Sequence, residues 1–164
     1  MSLFIIAFIA FIIGIVLILL LKNVSPPVPQ EQIYFDNPDD KPLYLLDRVA
    51  FKEKCLEFLG KFNLEYNHSI WANDSELEID MLDETPVVGG KYIALCIFEP
   101  LHQQVDLFKV KGFIDTVKGE GAARGILITT GYFSEDAQKA IDDDPVELVN
   151  VVSFLSYLKK FDIY

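Results

Sequence analysis

The chain has 164 residues, 51% of them hydrophobic, and its formal net charge at pH 7 is −11. This acidic balance argues against a protein that holds nucleic acid loosely through backbone phosphates, because such binding needs clustered lysine and arginine. The only two cysteines, Cys55 and Cys96, fall in apolar, periodic segments. We therefore predict free thiols in the core and a reducing compartment, rather than a disulfide scaffold.

The N-terminal run from Leu3 to Leu21 contains nineteen residues and no charge. As a helix it would cover about 28 Å, which is enough to cross the hydrocarbon of a bilayer. A cleaved signal peptide is the alternative, but the run lacks a basic region before it and a small-residue cleavage site after it. We predict an uncleaved single-pass anchor over residues 1–24, and Lys22 favours a cytoplasmic location for the rest.

The segment after the anchor is rich in proline, with Pro26, Pro27 and Pro29 close together. Proline favours an extended backbone, so residues 25–45 are predicted to be a linker. Residues 46–164 have the length of one ordinary domain that can bury its own core.

The first half of this domain is predicted to be one helix followed by three strands. The helix begins near Leu46, where apolar residues recur with helical spacing, and Asp47 is its candidate N-cap. The strand-like runs are Leu64–Trp71, Glu76–Leu82 and Tyr92–Phe98. Because the third run is apolar on both faces, we expect it in the middle of a covered sheet.

The second half alternates helices and strands. A helix is predicted with Val105, Phe108, Ile114 and Val117 on its buried side, and a strand follows over Gly125–Thr130. The remaining elements are a helix from the cap Ser134 to about Ile141, a strand over Val146–Val149 and a helix over Val151–Phe161. This order predicts an α/β domain with a mixed sheet and helices on both faces.

The segment GAARGILITTGYFSEDA, from Gly121 to Ala137, resembles the signature of Mrr-type restriction endonuclease domains. In that family a glycine-led strand ends in Thr-Thr, and Phe-Ser or Phe-Thr then opens a helix. Two upstream segments are similar to the family as well: Phe51–Gly60 to its first helix, and Glu78–Leu82 to its Gly-Ile-Asp-Leu-Ile strand. The resemblance covers about Ala50 to Phe161 and implies the restriction-endonuclease-like fold of the PD-(D/E)xK nuclease superfamily.

The resemblance also implies where a catalytic site would lie. Asp80 matches the family's metal-binding aspartate, but Leu95 and Ile97 occupy the positions of its Gln or Glu and its Lys. A hydrocarbon side chain cannot hold Mg²⁺ or position the attacking water, so these residues argue against cleavage. Lys91 lies too far along the strand to replace the lysine. An acidic set of Asp80, Glu78 and Glu99 at the strand ends is either a candidate metal site or, as we favour, an ordinary solvated, acidic strand end.

Two further groups of residues are given structural interpretations. The turn Thr129-Thr130-Gly131 before Ser134 places donors at a helix N-terminus that can accept a phosphate, but acidic residues in the first helical turn favour simple capping. Three lysines of the crossover helix can form a modest basic face or an ordinary solvated one: Lys109, Lys111 and Lys118.

Three functions follow from these observations. The first is a membrane-anchored, catalytically inactive Mrr-like domain that needs no cofactor and binds a protein partner, or nucleic acid despite the negative charge. The alternative is a Mg-dependent DNA endonuclease of the Mrr type with an atypical or partner-completed site. The third is a purely structural membrane-associated subunit without nucleic-acid contact.

Overall fold

A computed structural model describes residues 33–35, 37, 40–141 and 144–164. Its strands are β1 (Glu65–Trp71), β2 (Glu76–Asp83), β3 (Gly90–Ile97), β4 (Gln104–Val105), β5 (Arg124–Thr129), β6 (Tyr132–Phe133) and β7 (Val146–Val149). Its α-helices are α1 (Arg48–Gly60), α2 (Leu107–Gly119), α3 (Glu135–Lys139) and α4 (Val151–Lys160). A short 3-10 helix, Leu43–Leu45, precedes α1.

Five strands form the central sheet in the order β1-β2-β3-β5-β7. β1, β2 and β3 pair antiparallel as a meander, whereas β3, β5 and β7 pair parallel through helical crossovers. The predicted mixed α/β sheet is thus confirmed. The short strands β4 and β6 form a separate parallel pair that the sequence did not predict.

Two hydrophobic cores lie on opposite faces of the sheet. Helices α1 and α4 cover one face with an aromatic cluster that includes Phe51, Phe58 and Phe154. Helix α2 covers the other face, where its Phe113 packs with residues of β3 and β5. Because side chains alternate across a strand, β3 supplies both cores and is buried on both faces, as predicted.

Polar side chains begin each α-helix by accepting backbone N–H groups that have no partner within the helix. Asp47 accepts from the N–H of Val49 and of Ala50, and Ser134 accepts from the N–H of Ala137, so both predicted caps are confirmed. The unpredicted caps are Asp106 and Asn150.

The predicted buried side of α2 is wrong at two positions. Val105 is buried but lies in β4, before the helix begins, and the ring of Phe108 is 82% exposed. Asp106 accepts the N–H of Lys109 and so begins the helix at Leu107. With about 100° between successive residues, Phe108 then faces away from the side that carries Phe113.

The predicted anchor over residues 1–24 lies outside the described residues. Within the ranges that the structure describes, no helix is long and apolar enough to cross a membrane. The described part of the predicted linker contacts the domain: Tyr44 is buried in the core, and the N–H of Ile33 donates to the hydroxyl of Tyr132.

Candidate functional site

A cleft of about 670 Å³ opens on the sheet face that α2 covers. Helix α2 packs over β3 and β5, so the neighbouring face of β2 is left open beside it. Buried side chains of β3 form the apolar floor, and acidic side chains of β2 and of the segment after β3 stand at its sides. The cleft therefore contains Leu95 and Ile97, two of the positions that the family resemblance assigns to a nuclease site, whereas Asp80 lies opposite Ile93 on the same sheet face but does not line the cleft.

Leu95 and Ile97 both line this cleft, with exposed fractions of only 6% and 2%. In the antiparallel pairing of β2 with β3, Leu95 lies opposite Glu78 and Ile97 lies opposite Glu76. Directly opposed residues point to the same face of a sheet. The two side chains at which the family resemblance implies an amide or carboxylate and a lysine thus form part of the buried apolar floor.

Asp80, the match to the family's aspartate, is held by basic neighbours. Its carboxylate lies 3.3 Å from the Lys91 Nζ and 3.6 Å from the His68 Nδ1. Lys91 also forms an ion pair with Glu120, and the Glu120 and then the Asp80 carboxylate raise the pKa of Lys91 above its ordinary value. Lys91 is therefore a partner of Asp80, although the sequence excluded it as a replacement for the missing lysine.

Lys109 of α2 lines the cleft. The Lys109 Nζ lies 2.6 Å from a carboxylate oxygen of Glu76. Lys118, at the other end of the helix, forms an ion pair with Asp144. The three lysines of α2 therefore do not form one basic face, since two of them are paired with carboxylates from different elements.

Glu78 and Glu99 also line the cleft. Among the described residues, neither side chain has an ion-pair partner. The same residues contain no group of three or more His, Cys, Asp or Glu side chains placed to hold a metal ion. The structure thus brings Glu78 and Glu99 to one cleft but does not gather them with Asp80 as a metal-binding set.

The Thr129-Thr130-Gly131 turn fixes the end of the segment that carries Glu99. The buried Thr130 hydroxyl donates to the carbonyl of Glu99 and accepts its N–H, each at 2.7 Å. The Thr129 hydroxyl accepts the N–H of Gly131. With these groups satisfied and Ser134 capping α3, the turn has the structural role that the sequence favoured over phosphate binding.

The sequence missed the lysine partners of the β2 carboxylates. The hairpin register was a usable signal for one of them, because Lys91 pairs with Leu82, close to Asp80. Lys109 gave no such signal, since its approach to Glu76 depends on how α2 packs on the sheet.

Residues 79–158 match the Mrr_cat family model, described as a restriction endonuclease. This Mrr_cat match spans just under half of the chain and includes Asp80, Leu95 and Ile97. No protein of curated function matches the sequence significantly.

Two solved structures are similar to the chain. The DNA modification-dependent restriction endonuclease AspBHI superposes with a TM-score of 0.50 and 14% identity over 82% of this chain and 40% of its own. The MspJI restriction endonuclease in complex with a 27-mer oligonucleotide gives a TM-score of 0.45 and 16% identity over 74% of this chain and 29% of its own. This chain thus spans two fifths or less of either relative. The AspBHI likeness confirms the mixed α/β fold of restriction endonucleases.

Proposed function

We propose that this domain is a nuclease fold without nuclease activity, which acts at a membrane surface by binding a protein partner. The observation that carries the proposal is the hydrocarbon floor of the cleft. Leu95 and Ile97 supply neither a ligand for Mg²⁺ nor an ammonium group for the phosphate, and both are buried in the apolar floor.

The charges around the cleft support binding of a protein rather than of nucleic acid. Glu76 in the cleft and Asp80 on the same sheet face already have lysine partners, and the cleft carboxylates of Glu78 and Glu99 would repel backbone phosphates. The net charge of −11 acts in the same direction over longer distances.

A cleavage assay on the full chain tests the lack of nuclease activity. Supercoiled plasmid and single-stranded DNA are incubated with the purified protein and either Mg²⁺ or Mn²⁺, and both substrates are expected to stay intact. Cleavage that disappears in an Asp80→Ala variant would contradict the proposal, because Asp80 is the one side chain that matches the family's metal-binding set.

The second candidate is a Mg-dependent DNA endonuclease with an atypical or partner-completed site. It is favoured by Lys109, which brings an ammonium group from α2 into the cleft. In this case a Lys109→Ala variant loses cleavage together with Asp80→Ala, while Lys111→Ala, an exposed lysine of the same helix, retains it.

Residues 1–24 are proposed to hold the domain at the membrane, with the domain on the cytoplasmic side. The support is the uncharged run from Leu3 to Leu21, and the single basic residue Lys22 beside it. The full chain should stay in the membrane pellet after alkaline extraction, whereas a variant lacking residues 1–24 should be released. Recovery of the full chain in the soluble fraction would contradict an anchor.

A further inference from the structure

The cleft combines an apolar floor with an exposed aromatic side chain at its rim. Ile93, Leu95 and Ile97 line the floor, and Phe108, in the first turn of α2, lines the cleft with 82% of its surface exposed. On the same sheet face Ile70, the β1 residue opposite Glu78, is 57% exposed. Large exposed apolar side chains beside a concave surface are typical of a site that binds another molecule.

The cleft is also strongly acidic. Four carboxylates line it, from Glu76, Glu78, Glu99 and Asp106, against the single cation of Lys109. Lys109 is paired with Glu76, and the Asp106 side chain is used as the cap of α2. Glu78 and Glu99 therefore remain as the carboxylates that can pair with charges on a bound molecule, and those charges must be positive.

The spacing of these two carboxylates limits the shape of the bound molecule. Glu78 lies opposite Leu95, and Glu99 follows Leu95 by four residues, two beyond the end of β3. Four positions of extended backbone span about 13 Å at about 3.3 Å per residue, and this is the spacing that we infer between the two carboxylates along the strand direction. In an extended peptide, side chains four residues apart span the same distance on one face, with a third side chain midway between them.

We propose that the cleft binds an extended basic segment of a partner protein with the pattern basic-x-apolar-x-basic. The two cations pair with Glu78 and Glu99, and the apolar side chain between them packs on Leu95, Ile97 and Phe108. This inference rests on the proposed function, because it names the kind of protein segment that a non-cleaving cleft holds.

Fluorescence anisotropy of a labelled peptide on the full chain, in nonionic detergent, tests the proposal. The probe is Gly-Arg-Ser-Leu-Ser-Arg-Gly, and the control Gly-Arg-Arg-Ser-Leu-Ser-Gly has the same composition and charge with the two arginines adjacent. The probe is expected to bind about tenfold more tightly than the control, because only its spacing allows both charge-assisted contacts. Equal binding of the two peptides would overturn the proposal.

Variants of the cleft give the second arm of the experiment. The Glu78→Gln and Glu99→Gln double variant should weaken binding of the probe by about tenfold, and Phe108→Ala by about threefold. The control double variant, Glu53→Gln with Glu84→Gln, removes the same charge from exposed positions outside the cleft and should change binding less than about twofold. Equal loss in both double variants would mean general attraction to an acidic surface, and would overturn the proposal.

The outcomes separate this inference from the proposed function. If the plasmid stays intact but the peptide does not bind, the inference fails while the non-cleaving domain stands. If the plasmid is cleaved, the proposed function is contradicted whether or not the peptide binds. A labelled DNA duplex is the competing ligand. If the duplex binds more tightly than the probe, and a Lys109→Ala variant with Glu78 and Glu99 unchanged no longer binds it, the cleft would be assigned to nucleic acid and the inference overturned.

Discussion

Asp80 illustrates how the neighbours of a residue change its chemistry. The residue type matches a metal-binding aspartate, yet Lys91 and His68 lie beside its carboxylate. A Mg²⁺ ion would have to compete with the Lys91 ammonium for the same oxygens, without help from Leu95 or Ile97. A matching residue type therefore does not by itself identify a metal site.

Val87, in the loop between β2 and β3, combines full exposure with a backbone φ of 76°. A β-branched side chain is strained in this left-handed region, whereas glycine adopts it without strain. We expect Val87→Gly to raise the free energy of unfolding by about 0.5–1 kcal/mol. Urea denaturation of the purified protein measures the change.

The adjacent Val88 provides a matched control, since it is also exposed but is not among the described residues with positive φ. Val88→Gly should lower the free energy of unfolding by about 0.5 kcal/mol, because glycine only adds freedom to the unfolded chain. The same sign for both substitutions would contradict a strained Val87.

Asp83, the last residue of β2, gives a pH-dependent contribution to stability. Its carboxylate accepts hydrogen bonds from the hydroxyl and the N–H of Thr85, and these lower the pKa of Asp83 below the ordinary 3.8. A lowered folded-state pKa means that the stabilisation is present above pH 3.8 and is lost as the pH falls through the folded-state value. Asp83→Asn should therefore destabilise the protein at pH 7, and the destabilisation should shrink as the pH falls below 3.8.

Thermal unfolding of wild type and Asp83→Asn at several pH values between 7 and 3 checks this expectation. In a Thr85→Val background the difference between Asp and Asn at position 83 should shrink at pH 7, because the hydroxyl donor is gone. A difference in Tm that is the same at pH 7 and pH 3 would refute the assignment.

At the scale of secondary-structure elements, an aromatic side chain of α4 and one of α2 contribute differently to the free energy of unfolding. Phe154 of α4 is fully buried and makes edge contacts with Phe51 and Phe58 of α1, with ring centroids 6.0 and 5.5 Å apart. Phe154→Ala should cost about 3–5 kcal/mol of unfolding free energy, because it leaves a cavity between the two helices.

Phe108→Ala is the matched control for Phe154→Ala, because it is the same substitution made on a different helix, α2. With 82% of Phe108 exposed, we expect a change within about 0.5 kcal/mol. Denaturant midpoints compare the two variants. A large loss of unfolding free energy in Phe108→Ala would instead indicate that the ring is buried, as the sequence pattern predicted.

At the scale of the whole molecule, the two cysteines report on the integrity of the domain. Cys55 of α1 and Cys96 of β3 are free and fully buried in the same core, and burial raises the pKa of the Cys55 thiol. Neither thiol should react with a thiol-specific reagent in the native protein, because the thiolate is the reactive form and the reagent cannot reach it. Both should react once the chain is unfolded in guanidinium chloride.

A Ser156→Cys variant supplies an exposed thiol on α4 for comparison. Its added thiol should react at the rate of a free thiol while Cys55 and Cys96 stay protected. A native cysteine that reacts as quickly as the added thiol would indicate that the core between α1 and the sheet opens readily.

The sequence by itself determined the order of the main elements, the mixed sheet, and the caps Asp47 and Ser134. These follow from local patterns, since strand alternation, helical spacing and capping depend on residues within a few positions of each other. The short strands β4 and β6 were missed because two residues are too few for a periodic signal.

The tertiary structure alone decided the surroundings of the cleft. The pairing of Lys109 with Glu76 and the exposure of Phe108 both depend on how α2 packs on the sheet. Packing joins residues that are distant along the chain, and no local periodicity records it. For this protein, the sequence placed hydrocarbon at Leu95 and Ile97, where the family resemblance implies catalytic groups, and the structure located the acidic, apolar cleft that these residues line.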